Sequence, residues 1–426
     1  MKEKTKLPIL SLFFVLLNIY IAHAQNGVFY YTDSSSLNYN TRIVDIKENT
    51  ETNEIYLLGK VENEDFSKVE GFYFARVDES GKSIMTTISN ESNLYDINNM
   101  ILMPKTDFDK NAVVKIYGST RSDGFFSSFN KIVDKEGKSA TSMASMVTFS
   151  TLFKSVFDVG NGTSLAVLSA LGNNRLFNLR VSLTGNADGY SLMYKKVVST
   201  FNEEASQIIM LKDSSIIILA KRYASDFSYY TSVLWKLAQN GDSVWCKEIE
   251  ESKNFIDHSI CADKTGQIYY AYNNVTDAAV NSESTIFILD DKGEVKEKKT
   301  IANINVKGML VLKNNNILLY GNKFKTETSI ISTTIKRASL SIINSKLDLI
   351  KHDELSATDA PDKDIPGIAP PPCSTDILCA IQLKDGRIAC AGRVFMPEDC
   401  SPTMSLFSTK TNRPLLILIT DVGGFR

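Results

Sequence analysis

Few side chains in this chain have the types that usually carry catalysis. Histidine occurs three times, at His23, His258 and His352. Asp257-His258 sets a carboxylate beside an imidazole and has the composition of a general base; a hydrogen-bonded structural histidine fits the same pair. No P-loop, Gly-rich phosphate loop or nucleophile elbow is present, so no cofactor is expected. Six cysteines occur without any C-x-x-C spacing, which argues against a structural zinc or other metal site. A more suggestive set is a recurring aromatic and acidic phrase. It reads Asp65-Phe66-Ser67, then Ser122-Asp123-Gly124-Phe125-Phe126, then Ser225-Asp226-Phe227-Ser228-Tyr229-Tyr230. Carboxylates beside aromatic rings suit a glycan or a peptide. The candidate binding residues are therefore Asp65, Phe66, Asp123, Phe125, Phe126, Asp226, Phe227, Tyr229 and Tyr230. The same phrases also fit loops whose rings pack between neighbouring structural units.

The elements that must position these residues repeat. A short β-type run, a turn of the form Asp-x-x-Gly and a second run recur along the chain. Val77-Asp78-Glu79-Ser80-Gly81 and Val133-Asp134-Lys135-Glu136-Gly137 are near duplicates. Looser copies end at Gly185, Gly241 and Gly293, and a degenerate copy is Ile343-Asn344-Ser345-Lys346. The turn glycines stand 56, 48, 56 and 52 residues apart, a period in the range of propeller blades. A second turn series runs in step, at Asn161-Gly162, Asp213-Ser214, Lys264-Thr265-Gly266, Asn314-Asn315 and Asp385-Gly386. Each is followed by a short apolar run such as Ile216-Ile217-Ile218-Leu219 or Ile317-Leu318-Leu319-Tyr320. Such runs, bounded by turns, are strands. Many end in a small residue (Gly59, Gly118, Ala220, Ala271, Gly321, Gly392), which reads as close packing.

Each unit thus has four antiparallel strands, A to D. The units are expected at about 42–92, 93–150, 154–202, 205–252, 255–303, 306–352 and 375–422. The last lacks its D strand, and Val28-Phe29-Tyr30-Tyr31-Thr32 can supply it. The expected fold is an all-β, seven-bladed β-propeller closed by an N-terminal strand, with six or eight blades as alternatives. Closure removes free sheet edges.

Trp235-Lys236-Leu237-Ala238-Gln239-Asn240-Gly241-Asp242-Ser243-Val244-Trp245 resembles a repeat of secreted bacterial β-propeller proteins. In that family the blades end in a lysine-or-aspartate, x, x, Gly, x, x, Trp phrase. The resemblance covers nearly all of the chain after its first residues. It implies a propeller and export, and it implies no single activity. The sialidase Asp-box needs a Ser or Thr two residues before the Asp; Arg76, Ile132 and Ile288 stand there, so the box is not matched.

Residues 1–24 read as a signal peptide. Lys2, Lys4 and Lys6 precede an apolar run from Ile9 to Ala22, and Ala22-His23-Ala24 is a small-x-small cleavage site. Residues 25–426 are then one propeller domain, its last blade formed by 375–424 with strand 28–32. No later stretch has the length of a membrane span. Secretion to a periplasm, outer surface or medium is expected, where disulfides persist. Two long proline-bearing or irregular loops, 353–374 and 394–414, flank the last blade and hold Cys373 and Cys400. A Cys373–Cys400 disulfide is expected. Cys379 and Cys390 lie on adjoining strands; a two-residue turn at Asp385-Gly386 would place Ile381 opposite Cys390 and leave two buried thiols. Cys246 and Cys261 are expected to be too far apart to pair.

The net charge of -2, from 47 basic and 49 acidic residues, leaves no cationic excess for nucleic acid. The sequence therefore favours an exported, non-enzymatic binding or scaffold protein, a monomer or a member of an envelope complex. It would recognise a partner protein or surface glycan through its B–C/D–A loops. The alternative is a glycan-active hydrolase or lyase with its site at the central channel.

Overall fold

In the computed structural model the chain is an all-β propeller of seven four-stranded antiparallel sheets. The structure describes residues 28–32, 40–63, 67–91, 93–103, 111–122, 125–141, 151–160, 163–171, 177–185, 191–199, 201–273, 282–328, 332–355, 374–396 and 411–419. Blades 1 to 6 span 40–90, 94–141, 151–197, 203–249, 258–302 and 305–355. Blade 7 joins Ser374–Gln382, Ile388–Met396 and Thr411–Ile419 to the N-terminal strand Val28–Thr32. Val28 faces Ile419 and Thr32 faces Leu415, so the two ends of the ring close as the sequence implies. The expected signal peptide, Cys373 and Cys400 lie outside the described residues.

The Asp-x-x-Gly phrase has a specific physical basis. At Asp78 the backbone closes a three-residue loop, with Gly81 N donating to Asp78 O and Asp78 N donating to Lys82 O, both at 2.9 Å. The Asp78 carboxylate accepts from Ser80 N and Lys82 N at 2.9 Å. Asp134, Asp263, Asp290 and Asn344 repeat that double acceptance. The third loop residue must enter the left-handed region, where Gly81 has φ 84° and Gly293 has φ 81°. Glycine enters it without steric cost.

The A–B turns use the same three-residue loop, and this corrects one expectation. Leu383 N donates to Arg387 O and Gly386 N to Leu383 O. The extra loop residue shifts the register by one, so Cys390 faces Ala380 and Ile381 faces Ala389. Cys379 and Cys390 are free thiols, half-buried and buried respectively; Cys246 and Cys261 are unpaired as well.

Six of the seven inner strands carry a bulge, in five of them beside the small residue of strand B. The pairing skips Val44, Asn98, Lys154, Ser206, Lys307 and Leu378. Gly321 and Gly392 have no unusual φ; they are required for space. A Cβ on Gly392 would lie 1.9 Å from Asp376 O, and one on Gly321 would lie 2.0 Å from Asn305 O. The residue after the bulge then reaches sideways. Asp45 accepts from Met100 N of blade 2 at 2.8 Å, and Asn99 donates to Val156 O of blade 3 at 2.6 Å. Gln207 bonds both Ile260 N and Ile260 O of blade 5 at 3.0 Å. These side chains join inner strands that share no sheet.

Apolar surface fills the wedges between blades. Ile43, Leu57 and Tyr73 of blade 1 pack with Leu383, Leu416 and Leu418 of blade 7 at the closure. Each such fully buried side chain contributes about 1.5–3 kcal/mol. The turn face is laced as well: Trp245 Nε1 donates to Asp291 O of the next blade at 2.8 Å.

Candidate functional site

Strand A begins and strand B ends on the same face of the disc, so the B–C and D–A loops ring one mouth of the channel. Charged residues at these strand ends pair between blades. Lys60 of blade 1 bonds Asp96 of blade 2. Lys154 of blade 3 meets Glu204 of blade 4 at 2.6 Å, and Lys307 of blade 6 meets Asp257 of blade 5 at 2.5 Å. Asn322 of blade 6 donates to Asp376 of blade 7 at 2.7 Å. Burial alone would raise the Glu204 carboxyl; Lys154, the Tyr223 hydroxyl and Lys221 together outweigh it and hold the group below its ordinary range.

The mouth opens into a cavity of about 490 Å³ between blades 1 and 2. Arg42, Lys60, Lys68 and Arg121 set four cations around the carboxylates of Glu62 and Asp96, and Tyr95 stands at the rim. Glu62 is buried and pairs with Arg42 at 2.7 Å through one oxygen. Its other oxygen, Oε2, has no hydrogen-bond partner among the described residues, nor do Arg42 Nε and Thr41 Oγ1. Burial pushes the Glu62 carboxyl up despite Arg42, Lys60 and Arg393. Burial likewise lowers the Lys60 ammonium, against the pull of Asp96. Unpartnered buried polar atoms are costly to the fold.

A second cluster lies at blade 4. Ser206, aimed outward by its bulge, is exposed, and its Oγ is 2.5 Å from His258 Nε2 of blade 5. Ser232 Oγ is 2.8 Å from His258 Nδ1, and Phe255 stacks on the imidazole at 4.1 Å. Burial, then Lys221, pushes the His258 pKa down to about 3, so the ring is neutral and weakly basic. Asp257 is held by Lys307 rather than by His258. The Asp257-His258 base suggested by adjacency therefore does not form as a pair.

The predicted rim residues are divided. Asp65, Phe66 and Asp123 lie outside the described residues, and Phe125 opens strand C of blade 2. Phe126 packs edge-on against Tyr95 at 4.7 Å beside the cavity. Tyr230 is absorbed between blades, against Phe255 at 5.2 Å, and its hydroxyl donates to Phe255 O. Asp226, Phe227 and Tyr229 are exposed on the loop face. Sequence reasoning missed Arg42, Lys60, Glu62 and Asp96. Alternating charges at strand ends look like a solvated edge until the fold brings two blades together. Among the described residues no group of three His, Cys, Asp or Glu has the arrangement of a metal site. Among the same residues no helix is long and apolar enough to cross a membrane.

No family model and no curated protein matches this chain. Solved structures match in fold. An α-L-arabinofuranosidase of Fusarium graminearum is 12% identical with a TM-score of 0.45, over 74% of this chain and 95% of that one. An α-L-arabinanase of Penicillium chrysogenum is 13% identical with a TM-score of 0.46, over 75% and 97%. An acylaminoacyl peptidase of Pyrococcus horikoshii is 12% identical with a TM-score of 0.45, over 85% of this chain and 51% of that one. These likenesses concern the fold alone, and no site residue is carried over from them. They do correct the expectation that the protein is not an enzyme. That expectation rested on scarce histidines and absent catalytic motifs. Two of the similar proteins, the arabinofuranosidase and the arabinanase, are glycoside hydrolases, so this architecture gives no ground for excluding catalysis.

Proposed function

We propose that the protein recognises an acidic glycan on its B–C/D–A face, in the cavity between blades 1 and 2. The observation that carries this reading is the gathering of four cations around two carboxylates in one concave, polar site. Arg42, Lys68 and Arg121 suit carboxylates of the ligand, and Tyr95 offers a ring at the rim. Export of the chain would place this face where such polymers occur. The test is affinity electrophoresis in gels containing polygalacturonate, alginate, hyaluronan or neutral arabinan. The acidic polymers should retard the wild type, and Lys68→Glu and Arg121→Glu should migrate freely. Equal retardation by arabinan, or retention by both variants, contradicts the reading.

A second reading has one observation in its favour. Glu62, with its carboxyl raised by burial, shares the cavity with the carboxylate of Asp96. Two carboxyl groups in one cleft, one of them raised by burial, is the pairing that glycosidic cleavage uses. Release of reducing ends from a bound polymer by the wild type, lost in Glu62→Gln, would establish it. A polymer bound and recovered uncut would leave recognition alone.

A further inference from the structure

Among the described residues two glutamates are buried, Glu62 and Glu203, and the fold treats them differently. Glu203 has both oxygens engaged: Arg222 Nε donates to Oε1 at 2.6 Å and Trp235 Nε1 donates to Oε2 at 3.0 Å. Glu62 meets Arg42 through one oxygen, and its other oxygen has no hydrogen-bond partner among the described residues. Hydrogen bonds to the ionised form are what hold a buried carboxylate as an anion, and Glu62 has the weaker set. Burial acts against its charge and raises the carboxyl.

Charged groups reach Glu62 from four strands. Arg42 and Lys60 come from strands A and B of blade 1, Arg393 from strand B of blade 7, and Asp96 from strand A of blade 2. After burial, the three cations act to lower the carboxyl and Asp96 acts to raise it. Two of these cations are committed elsewhere, Lys60 to Asp96 and Arg393 to Asp376 at 3.5 Å. Lys68 and Arg121 line the same cavity and have no ion pair among the described residues. With Glu62 ionised, the cavity sets four cations against two carboxylates. With Glu62 protonated, one carboxylate is left and Arg42 loses its counter-ion.

A ligand carboxylate entering this cavity competes with Glu62 for the same cations. Two anions close together in a partly desolvated site do not both stay ionised. The ligand group keeps water on its outer side, so the buried Glu62 is the one that takes the proton. We propose that an acidic glycan binds this cavity together with a proton accepted by Glu62, so that the site holds its ligand more tightly as the pH falls. This rests on the reading of the cavity given above. The ligand raises the Glu62 pKa above its value in the free protein. The gain in affinity is therefore fully present below the free value and is lost as the pH rises through that of the complex. One proton limits the change to about tenfold per pH unit.

The test is calorimetric titration of an oligogalacturonate into the full chain at pH 6.5, in MES and in imidazole, two buffers of different ionisation enthalpy. Proton uptake appears as a difference in binding heat between the buffers. The wild type should show it, and its affinity should fall severalfold for each pH unit from 5.5 to 7.5. Glu62→Gln should give equal heats and a level affinity over that range, whereas Asp96→Asn should keep the uptake. Equal heats for the wild type overturn the inference and spare the cavity reading, which needs binding alone. Uptake that persists in Glu62→Gln, or disappears in Asp96→Asn, also overturns it, since another group then carries the proton. Absence of wild-type binding in both buffers overturns the cavity reading and this inference together.

Discussion

The Oγ of Ser206 in blade 4 lies 2.5 Å from Nε2 of His258 in blade 5, and Ser232 holds the opposite ring nitrogen at 2.8 Å. The imidazole is fixed between two hydroxyls and stacked on Phe255, over whose ring Lys221 also lies. It joins two blades as a neutral hydrogen-bonding group.

This neutrality has a pH signature. Burial, then Lys221, lowers the folded pKa of His258 to about 3, below the ~6.5 of an unfolded chain. Between these values the unfolded chain binds the extra proton, so stability is full above about pH 6.5 and declines as pH falls toward 3. Melting curves at pH 7.5 and 5.0 should show a smaller acid loss for His258→Gln than for wild type. An equal loss in both would mean that His258 charges readily in the fold.

Inter-blade lacing makes a second prediction. Gln207→Leu removes both partners of the Ile260 backbone groups. A cost of about 2–3 kcal/mol in denaturant unfolding is expected, with faster hydrogen exchange at the Ile260 amide. A variant as stable as wild type would show that water replaces the amide.

Two glycines separate space from conformation. Gly392→Ala sets a Cβ against Asp376 O and should cost about 2–3 kcal/mol. Gly266→Ala meets nothing within 4 Å but must hold φ 87°, and should cost about 1 kcal/mol. Chemical denaturation of the two variants checks the order.

Among the four described cysteines burial raises every thiol, Cys390 to about 12, but Cys246 alone is exposed and has Arg222 pulling it back down. Iodoacetamide at pH 8 should label Cys246 first in the folded chain, as read by peptide mass. Early labelling of Cys390 would show that blade 7 opens.

The blade repeat was legible because it is written in local chemistry. A left-handed turn position selects Gly81, Gly137, Gly241 and Gly293, and the preceding Asp or Asn caps the loop wherever the phrase holds. Small residues opposite the inner strands, such as Gly321 and Gly392, were also readable as close approach. Less legible were events that need two blades. The bulges that turn Ser206 and Lys307 outward leave no mark in composition, and the sideways reach of Asp45, Asn99 and Gln207 has no local partner. The Cys390 register moved by one because Asp385-Gly386 is two-thirds of a three-residue loop. Tyr230 and Phe227 sit in one aromatic phrase, yet packing against Phe255 buries one and the turn geometry exposes the other. Glu62 was invisible as a site because its cavity exists only where blade 2 brings Asp96 and Arg121 beside it.

The central claim is recognition of glycan carboxylates by the cationic cavity between blades 1 and 2. Its most direct test is calorimetric titration of an oligogalacturonate and of the same oligomer after reduction of its carboxyl groups to alcohols. The account predicts binding of the acidic oligomer that weakens about tenfold or more on carboxyl reduction and is lost in Arg121→Glu. Equal affinity for the two oligomers, or binding untouched by Arg121→Glu, would contradict it.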